Sequence, residues 1–118
     1  MRLTHTLGIA ALALALGCSS STSSSDTTPG PDQVFMQNIA FNPATRTVPA
    51  GTTVTWANKD AIGHTVTYDS GPGTAFSSGT IAGGGTFQVT FNTAGTIQYH
   101  CTIHGTPGAG MHGTIVVQ

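Results

Sequence analysis

The chain has 118 residues, of which only 6% are charged, and its formal net charge at pH 7 is −1 with histidine neutral. A chain of this length forms one domain at most. Its sequence has neither a basic cluster that would hold nucleic acid nor an acidic run that would bind a basic partner. These properties exclude nucleic-acid binding and predict an apolar partner surface whose binding depends only weakly on salt.

The first 17 residues have the features of an export signal. Arg2 precedes an apolar run, Leu7 to Leu16, which is too short to span a bilayer but has the length of a signal-peptide hydrophobic region. Cys18 follows directly, and the arrangement resembles a bacterial lipoprotein signal whose cysteine becomes the acylated first residue. An ordinary secretory signal with an incidental cysteine is the alternative. We therefore predict a lipoprotein signal peptide over residues 1–17 and an extracytoplasmic protein, in the periplasm or at the cell surface, anchored to the membrane only through acylated Cys18.

Residues 18–31 read as a flexible tether. After Cys18 they are almost entirely Ser, Thr, Gly, Pro and Asp, and they offer no apolar face to bury. The folded domain is predicted over residues 32–118. It contains the second cysteine, Cys101, which has no disulfide partner in the chain if Cys18 is acylated. A lone thiol in an oxidising compartment is a liability unless something such as a metal ion occupies it.

The residues after the tether are predicted to form short strands. Apolar and polar side chains alternate with a period of two, and Gly, Pro, Asn and Asp separate the segments. The main segments are 34–39, 47–48, 52–57, 64–68, 87–91, 96–101 and one that begins at residue 111. None sustains helical periodicity. Six to eight short strands in about 85 residues predict an all-β fold, a two-sheet β-sandwich.

Alternation also selects candidate metal ligands. Cys101 lies four residues after Ile97 and shares its inward face, whereas His100 points outward and is predicted to be exposed. His64 likewise shares a face with the apolar Val66. Taken singly, a buried cysteine or a core histidine has an ordinary structural explanation, so the argument depends on the combination.

The last strand and the segment before it complete the set. Met111 shares the inward face of Ile115, whereas His112 points outward. His104 lies in a predicted loop, where alternation decides nothing, but its Cys-x-x-His spacing from Cys101 is short enough to bring it to the same ion. A thiolate, two imidazoles and a weak thioether are the ligands of a blue-copper electron-transfer site.

From Val34 to Gln118 the sequence resembles the cupredoxins, a family of small copper proteins. The resemblance lies in Phe41-x-Pro43, Val48–Trp56, Asn58-x-Asp60, His64–Val66, Phe76–Gly79 and Tyr99–His104. It implies a Greek-key β-sandwich with one type 1 copper ion near one end. It also implies that His64, Cys101 and His104 form the trigonal ligand set and that Met111 is the weak axial ligand.

Two features depart from the family pattern. Thr65 stands where the family often has an asparagine that ties two ligand loops together, and its shorter hydroxyl would have to do that work. Six residues, Gly105 to Gly110, separate His104 from Met111, which is more than in familiar members. We expect this hexapeptide to bulge outward and return Met111 to the copper.

The resemblance implies a monomeric carrier that passes single electrons between redox proteins, such as a cytochrome or a membrane or periplasmic oxidoreductase. Copper would alternate between Cu(I) and Cu(II). The segment from Thr102 to Gly110 has no formally charged residue except a possible imidazolium. It predicts an uncharged docking surface made of His104, Gly105, Pro107, Gly108, Ala109 and Gly110.

The sequence fits two other functions of copper proteins less well. A copper oxidase or nitrite reductase needs further copper centres with histidines such as His-x-His pairs, which the sequence lacks, so no enzyme is predicted. A periplasmic copper carrier or chaperone would expose methionine and histidine in an open site. Here the only methionines after the signal are Met36 and Met111, and the predicted thiolate faces inward. The copper carrier is the alternative function.

Overall fold

The computed structural model describes residues 27–118, which form eight strands and no helix. The predicted signal peptide, Cys18 and most of the predicted tether lie outside the described residues. Within 27–118, nothing is helical, long and apolar enough to cross a membrane. The strands are β1 (Gln33–Met36), β2 (Phe41–Asn42), β3 (Thr45–Val48), β4 (Thr52–Asn58), β5 (Thr67–Ser70), β6 (Thr86–Phe91), β7 (Gly95–Thr106) and β8 (Ala109–Val117).

The strands form two four-stranded sheets, in the orders β2-β1-β4-β6 and β3-β8-β7-β5. The pairs β1–β4 and β3–β8 are parallel, and the remaining pairs are antiparallel. Both parallel pairs join strands that are distant in sequence, so the chain crosses between the sheets and closes them over one core. The predicted all-β sandwich of six to eight strands is confirmed.

The core follows the alternation read from the sequence. In β4, Val54 and Trp56 are buried whereas Thr53 is exposed. Trp56 joins the two sheets, because its ring meets Tyr99 of β7 edge-on with 5.3 Å between ring centroids. Phe76, Phe87 and Phe91 surround the same indole at 6.1–6.2 Å.

Two strands have bounds that differ from the prediction: one ends earlier and the other begins later. The segment predicted over 34–39 stops at Met36, because Asn38 and Ile39 both have a φ of 56°, which belongs to a turn and not to a strand. Of the segment 64–68, only its last two residues belong to β5. His64 instead forms an isolated bridge with Ile81, donating its N–H at 3.1 Å and accepting at 2.7 Å.

The loop predicted between Cys101 and Met111 is wrong, because the segment is a hairpin, and the hexapeptide Gly105 to Gly110 projects outward as the tip of that hairpin. β7 and β8 continue as a hairpin to its tip, where Thr106 pairs with Ala109 around a turn at Pro107 and Gly108. The pairing of the two strands is irregular between His100 and Gly105, before the tip. His100 pairs with His112 and Gly105 with Gly110, so residues 101–104 stand opposite Met111 alone. Such a bulge re-aims side chains, and both Cys101 and His104 lie within it.

Candidate metal centre

The bulge in β7 and the bridge at His64 bring three potential ligands together. Cys101 Sγ lies 3.9 Å from His64 Nδ1 and 3.6 Å from His104 Nδ1, and the two nitrogens are 3.1 Å apart. Cys101 and His64 are fully buried, whereas His104 is partly exposed. Cys101 is a free thiol among the described residues. Three of the four predicted ligands are therefore adjacent.

This triangle has the size that one metal ion needs. A point equidistant from the three atoms is about 2.1 Å from each, close to the length of a metal bond to a histidine nitrogen. A thiolate with two imidazoles in a trigonal arrangement is characteristic of blue-copper centres. The donor set and its spacing both fit a single copper ion.

Thr65 ties the two ligand-bearing segments together. Its N–H donates to Cys101 Sγ at 3.3 Å, and its Oγ1 accepts the N–H of Thr102 at 2.8 Å. Its hydroxyl also lies 3.2 Å from that of Thr67. The expected tie by a threonine is thus confirmed, and Thr65 is buried although strand alternation places it on the face opposite His64 and Val66. These hydrogen bonds satisfy the polar atoms of Thr65 and allow its burial.

Asp60 is a residue of the site that the sequence analysis did not find. Its Oδ2 lies 2.7 Å from His64 Nε2, and its carboxylate accepts the N–H groups of Asn38 at 2.8 Å and Ile39 at 3.0 Å. Burial alone would raise the pKa of Asp60, but hydrogen bonds from the Ile39 amide, His64 and the Asn38 amide outweigh it and lower that pKa. The carboxylate is therefore ionised at neutral pH. The Asn58-x-Asp60 motif drew attention to Asp60 in the sequence, but it did not indicate that His64 is the partner of this carboxylate.

The ionised Asp60 fixes the orientation of the His64 ring. A carboxylate only accepts hydrogen bonds, so His64 Nε2 carries a proton and donates it, and Nδ1 is the ring nitrogen that faces Cys101.

Residues 32–118 match the family of copper binding proteins described as the plastocyanin/azurin family. The chain belongs to this family. It is 38% identical over 88 residues to a plastocyanin of Scenedesmus fuscus, a match that covers 68% of this chain and 88% of that protein. It is also 33% identical over 91 residues to amicyanin-alpha of Methylorubrum extorquens, covering 75% of this chain and 73% of the relative.

The fold is shared with a much larger protein as well. A copper-containing nitrite reductase from Thermus scotoductus superposes with a TM-score of 0.67 at 28% identity. The match covers 76% of this chain but only 23% of that one, so the cupredoxin fold also occurs within an enzyme. Family membership and the His–Cys–His group together identify a type 1 copper electron-transfer protein that binds one copper ion.

Met111 of this cupredoxin is buried in β8 directly opposite the bulge. The backbone of Met111 packs so closely on Gly105 that a Cβ added to Gly105 would lie 2.6 Å from Met111 N. Met111 and Cys101 belong to one cluster of buried side chains. The axial role of its thioether stays a prediction.

The two remaining histidines of the cupredoxin domain lie outside the triangle. His112 is exposed, as predicted. His100 was also predicted to be exposed, but its side chain is only 12% accessible and its Nδ1 lies 2.5 Å from Asp69 Oδ1. Asp69 reaches it because the register of β5 against β7 shifts between Tyr68 and Ser70.

The predicted docking residues lie together at the tip of the β7–β8 hairpin. His104 and Gly105 are partly exposed, and the exposed members are Pro107, Gly108, Ala109 and Gly110. The tip is therefore a short two-stranded projection that begins at a copper ligand. It presents mostly backbone and small side chains.

Proposed function

We propose that the protein shuttles single electrons between redox partners outside the cytoplasm, without catalysing a reaction of its own. The observation that supports this most is the spacing of His64, Cys101 and His104, which fits a single ion. When bound, copper supplies a reversible one-electron couple whose two states prefer different geometries. A ligand set that is held rigidly rearranges little on each transfer, which lowers the barrier.

Hydrogen bonds hold the two buried ligands. Cys101 Sγ accepts the N–H of Thr65, and His64 donates to Asp60. Each of these partners is bonded in turn to a further segment of the chain, Thr65 to Thr102 and Asp60 to the turn between β1 and β2. This network holds the two buried ligands through the protein itself, which supports a rigid centre.

His104 is the proposed route by which electrons leave. Within the triangle it alone has exposed surface, because His64 and Cys101 are completely buried. An electron that passes through the imidazole of His104 reaches the protein surface at the base of the hairpin tip. The partner would therefore dock over this ring.

The surface around His104 suits an apolar partner. Three large apolar side chains in the described part of the chain are exposed, Ile39, Ile62 and Ile103, at 45–52%. All three lie in segments that contact the site: the Ile39 amide donates to Asp60, the Ile62 carbonyl accepts from Asn58, and Ile103 precedes His104. We propose that these isoleucines extend the predicted docking surface at the hairpin tip.

We further propose Met111 as the weak axial ligand, supported by its burial opposite the bulge. A cytochrome or a membrane or periplasmic oxidoreductase would be the partner, and the protein would act as a monomer tethered by acylated Cys18. The alternative, a carrier that hands copper to other proteins, needs ligands that exchange readily. The complete burial of His64 and Cys101 argues against that alternative.

Spectroscopy of the Cu(II)-loaded protein tests the function. We expect an intense visible charge-transfer band from the Cys101 thiolate and an unusually small copper hyperfine splitting in electron paramagnetic resonance. Repeated oxidation and reduction should leave the copper bound. A pale protein with ordinary hyperfine splitting would mean that Cys101 is not an equatorial ligand. Rapid loss of copper to a competing chelator would favour the carrier.

The docking surface is tested by adding one negative charge at either end of the sandwich. Ala109→Asp places a carboxylate at the hairpin tip, and Ala50→Asp places the same charge at the opposite end, where Ala50 N–H bonds to Gln118. We expect Ala109→Asp to slow electron self-exchange between Cu(I) and Cu(II) copies, measured by NMR line broadening, because two like charges then meet. Ala50→Asp should not. Equal rates in the two variants would contradict docking at the tip.

A further inference from the structure

Two histidine–aspartate pairs flank the centre, and only one of them involves a ligand. Asp69 pairs with His100, which is not part of the triangle. Asp60 pairs with His64, whose other ring nitrogen is the one that faces Cys101 and His104. The two carboxylates make chemically similar contacts but differ in what lies beyond the imidazole.

Asp60 is held in place independently of His64. The two oxygens of its carboxylate accept the amide N–H groups of Asn38 and Ile39, one each. Both of these residues have a φ of 56°, an uncommon conformation for residues other than glycine, and especially so for a β-branched isoleucine. The Asp60 backbone N–H in turn donates to Asn58 Oδ1 at 2.9 Å. The carboxylate is therefore fixed before any metal binds.

No cation competes for this carboxylate in the described part of the chain. His64 is the sole basic group there that lies within 4 Å of its oxygens. The neighbouring Lys59 instead places its ammonium 4.6 Å from the centre of the Phe35 ring. The charge of Asp60 thus acts mainly on the imidazole of His64.

We propose that Asp60 is a positioning residue of the copper centre, which orients His64 Nδ1 toward the metal and favours the oxidised state. The inference rests on the proposed function, because it concerns the same ion. A carboxylate that accepts the second N–H of a metal-bound histidine fixes the ring and raises its basicity as a ligand. A more basic ligand and a nearby negative charge both stabilise Cu(II) more than Cu(I), so Asp60 lowers the reduction potential.

The test compares two identical substitutions. Asp60→Asn removes the charge from the pair at the ligand, and Asp69→Asn removes it from the pair at His100. We expect Asp60→Asn to weaken Cu(II) binding about 10- to 100-fold, as is typical when such an outer partner is lost. If Cu(I) affinity falls tenfold less than Cu(II) affinity, the reduction potential rises by about 59 mV for a one-electron couple. Asp69→Asn should leave Cu(II) affinity within about twofold. Equal effects of the two substitutions would overturn the proposal, because a general charge effect would then explain both.

A second measurement does not depend on how well the variant folds. In the metal-free wild-type protein, at a pH where the His64 ring is neutral, ¹⁵N NMR of that ring should show the proton on Nε2, which faces Asp60. The opposite tautomer would overturn the proposal whatever Asp60→Asn does. In a folded Asp60→Ala variant, which has no side-chain acceptor for the Nε2 proton, we expect the ring to lose this single tautomer, whereas Asp69→Ala retains it.

The two measurements also separate this inference from the proposed function. If the wild-type protein binds Cu(II) without the intense thiolate band, the function fails although the tautomer of His64 can still be as expected. If the band is present but the tautomer is reversed, Asp60 does not position His64 and the proposed function stands.

Discussion

Thr65 is the residue whose environment differs most from its sequence pattern. It lies between two buried residues, His64 and Val66, and is itself buried. Its hydroxyl accepts the Thr102 N–H next to the thiolate ligand and lies 3.1 Å from the Thr102 hydroxyl. The short polar side chain of Thr65 thus ties the two segments that carry His64 and Cys101.

Thr65→Val keeps the shape of the side chain and its N–H bond to Cys101, but it leaves the Thr102 N–H without its acceptor. A fully buried donor left unsatisfied costs about 1–3 kcal/mol, and this hydrogen bond is part-buried, so we expect the free energy of unfolding of the metal-free protein to fall by up to that amount. Chemical denaturation measures it. The control is Thr53→Val in β4, whose exposed hydroxyl contacts only Thr90 and whose loss should change stability by less than about 0.5 kcal/mol. Equal effects would mean that Thr65 does not tie the ligand segments.

Met111 offers a second test at this scale. Met111→Leu conserves volume and should cost less than about 1.5 kcal/mol of stability. If the thioether is the weak axial ligand, its removal leaves the colour of the thiolate bond but raises the reduction potential, because a donor that favours Cu(II) is lost. Voltammetry and the visible spectrum measure both effects. Met36→Leu, in the other fully buried methionine of the domain, is the control and should leave the potential unchanged.

The β7–β8 hairpin is the element that carries most of the site. It contributes Cys101, His104 and Met111, and it places the first two in a bulge opposite the third. Gly105 makes the close approach of its strands possible. A Cβ there would lie 2.6–2.8 Å from backbone atoms of Ala109 and Met111. Backbone atoms of a paired strand cannot move away from an added Cβ as the end of a flexible side chain can.

Gly105→Ala should therefore push the hairpin strands apart beside His104 and Met111. We expect a loss of about 1–3 kcal/mol in stability from overpacking, together with an altered copper spectrum. Gly108→Ala is the matched control at the tip, since its φ of 73° costs an alanine about 1–2 kcal/mol while its Cβ meets nothing within 4 Å. The stability losses are similar, so the spectrum separates the two variants. An unchanged spectrum in Gly105→Ala would show that the centre tolerates movement of the hairpin.

For the whole molecule, copper and the sandwich stabilise each other. The ligands come from two regions that are about 40 residues apart in sequence, and the Trp56–Tyr99 contact joins the sheets that carry them. An ion that binds only the folded chain adds about 2.7 kcal/mol when its free concentration is 100 times its dissociation constant. Small domains gain about 4–8 °C in melting temperature per kcal/mol.

Copper loading should accordingly raise the melting temperature by about 10 °C or more, as measured by calorimetry. A strong chelator should reverse the gain. Cys101→Ser, loaded in the same way, should gain much less, because a hydroxyl is a poor replacement for a soft thiolate. A gain of the same size in that variant would show that the ion stabilises the fold from another site.

The sequence by itself determined the kind of fold and the candidate ligands. Both depend on local information: strand alternation faces every second residue to the core, and only a few residue types bind copper in a trigonal site. Alternation correctly predicted that Cys101 and Met111 are buried and that His112 is exposed. The Cys-x-x-His spacing correctly placed His104 beside the thiolate.

Only the tertiary structure decided how those ligands are held. Asp60 contacts Asn38 and Ile39, which are 22 and 21 residues away in sequence, and Thr65 contacts Cys101, which is 36 residues away. These contacts therefore depend on where separate segments of the chain cross. The hairpin tip escaped prediction for a different reason. Its Gly, Thr, Pro and Ala residues have no apolar alternation, and the tip strands are joined by backbone pairing, which any sequence without a disruptive side chain allows. Alternation assigns a side chain to a face, whereas contacts between distant segments decide what it meets there.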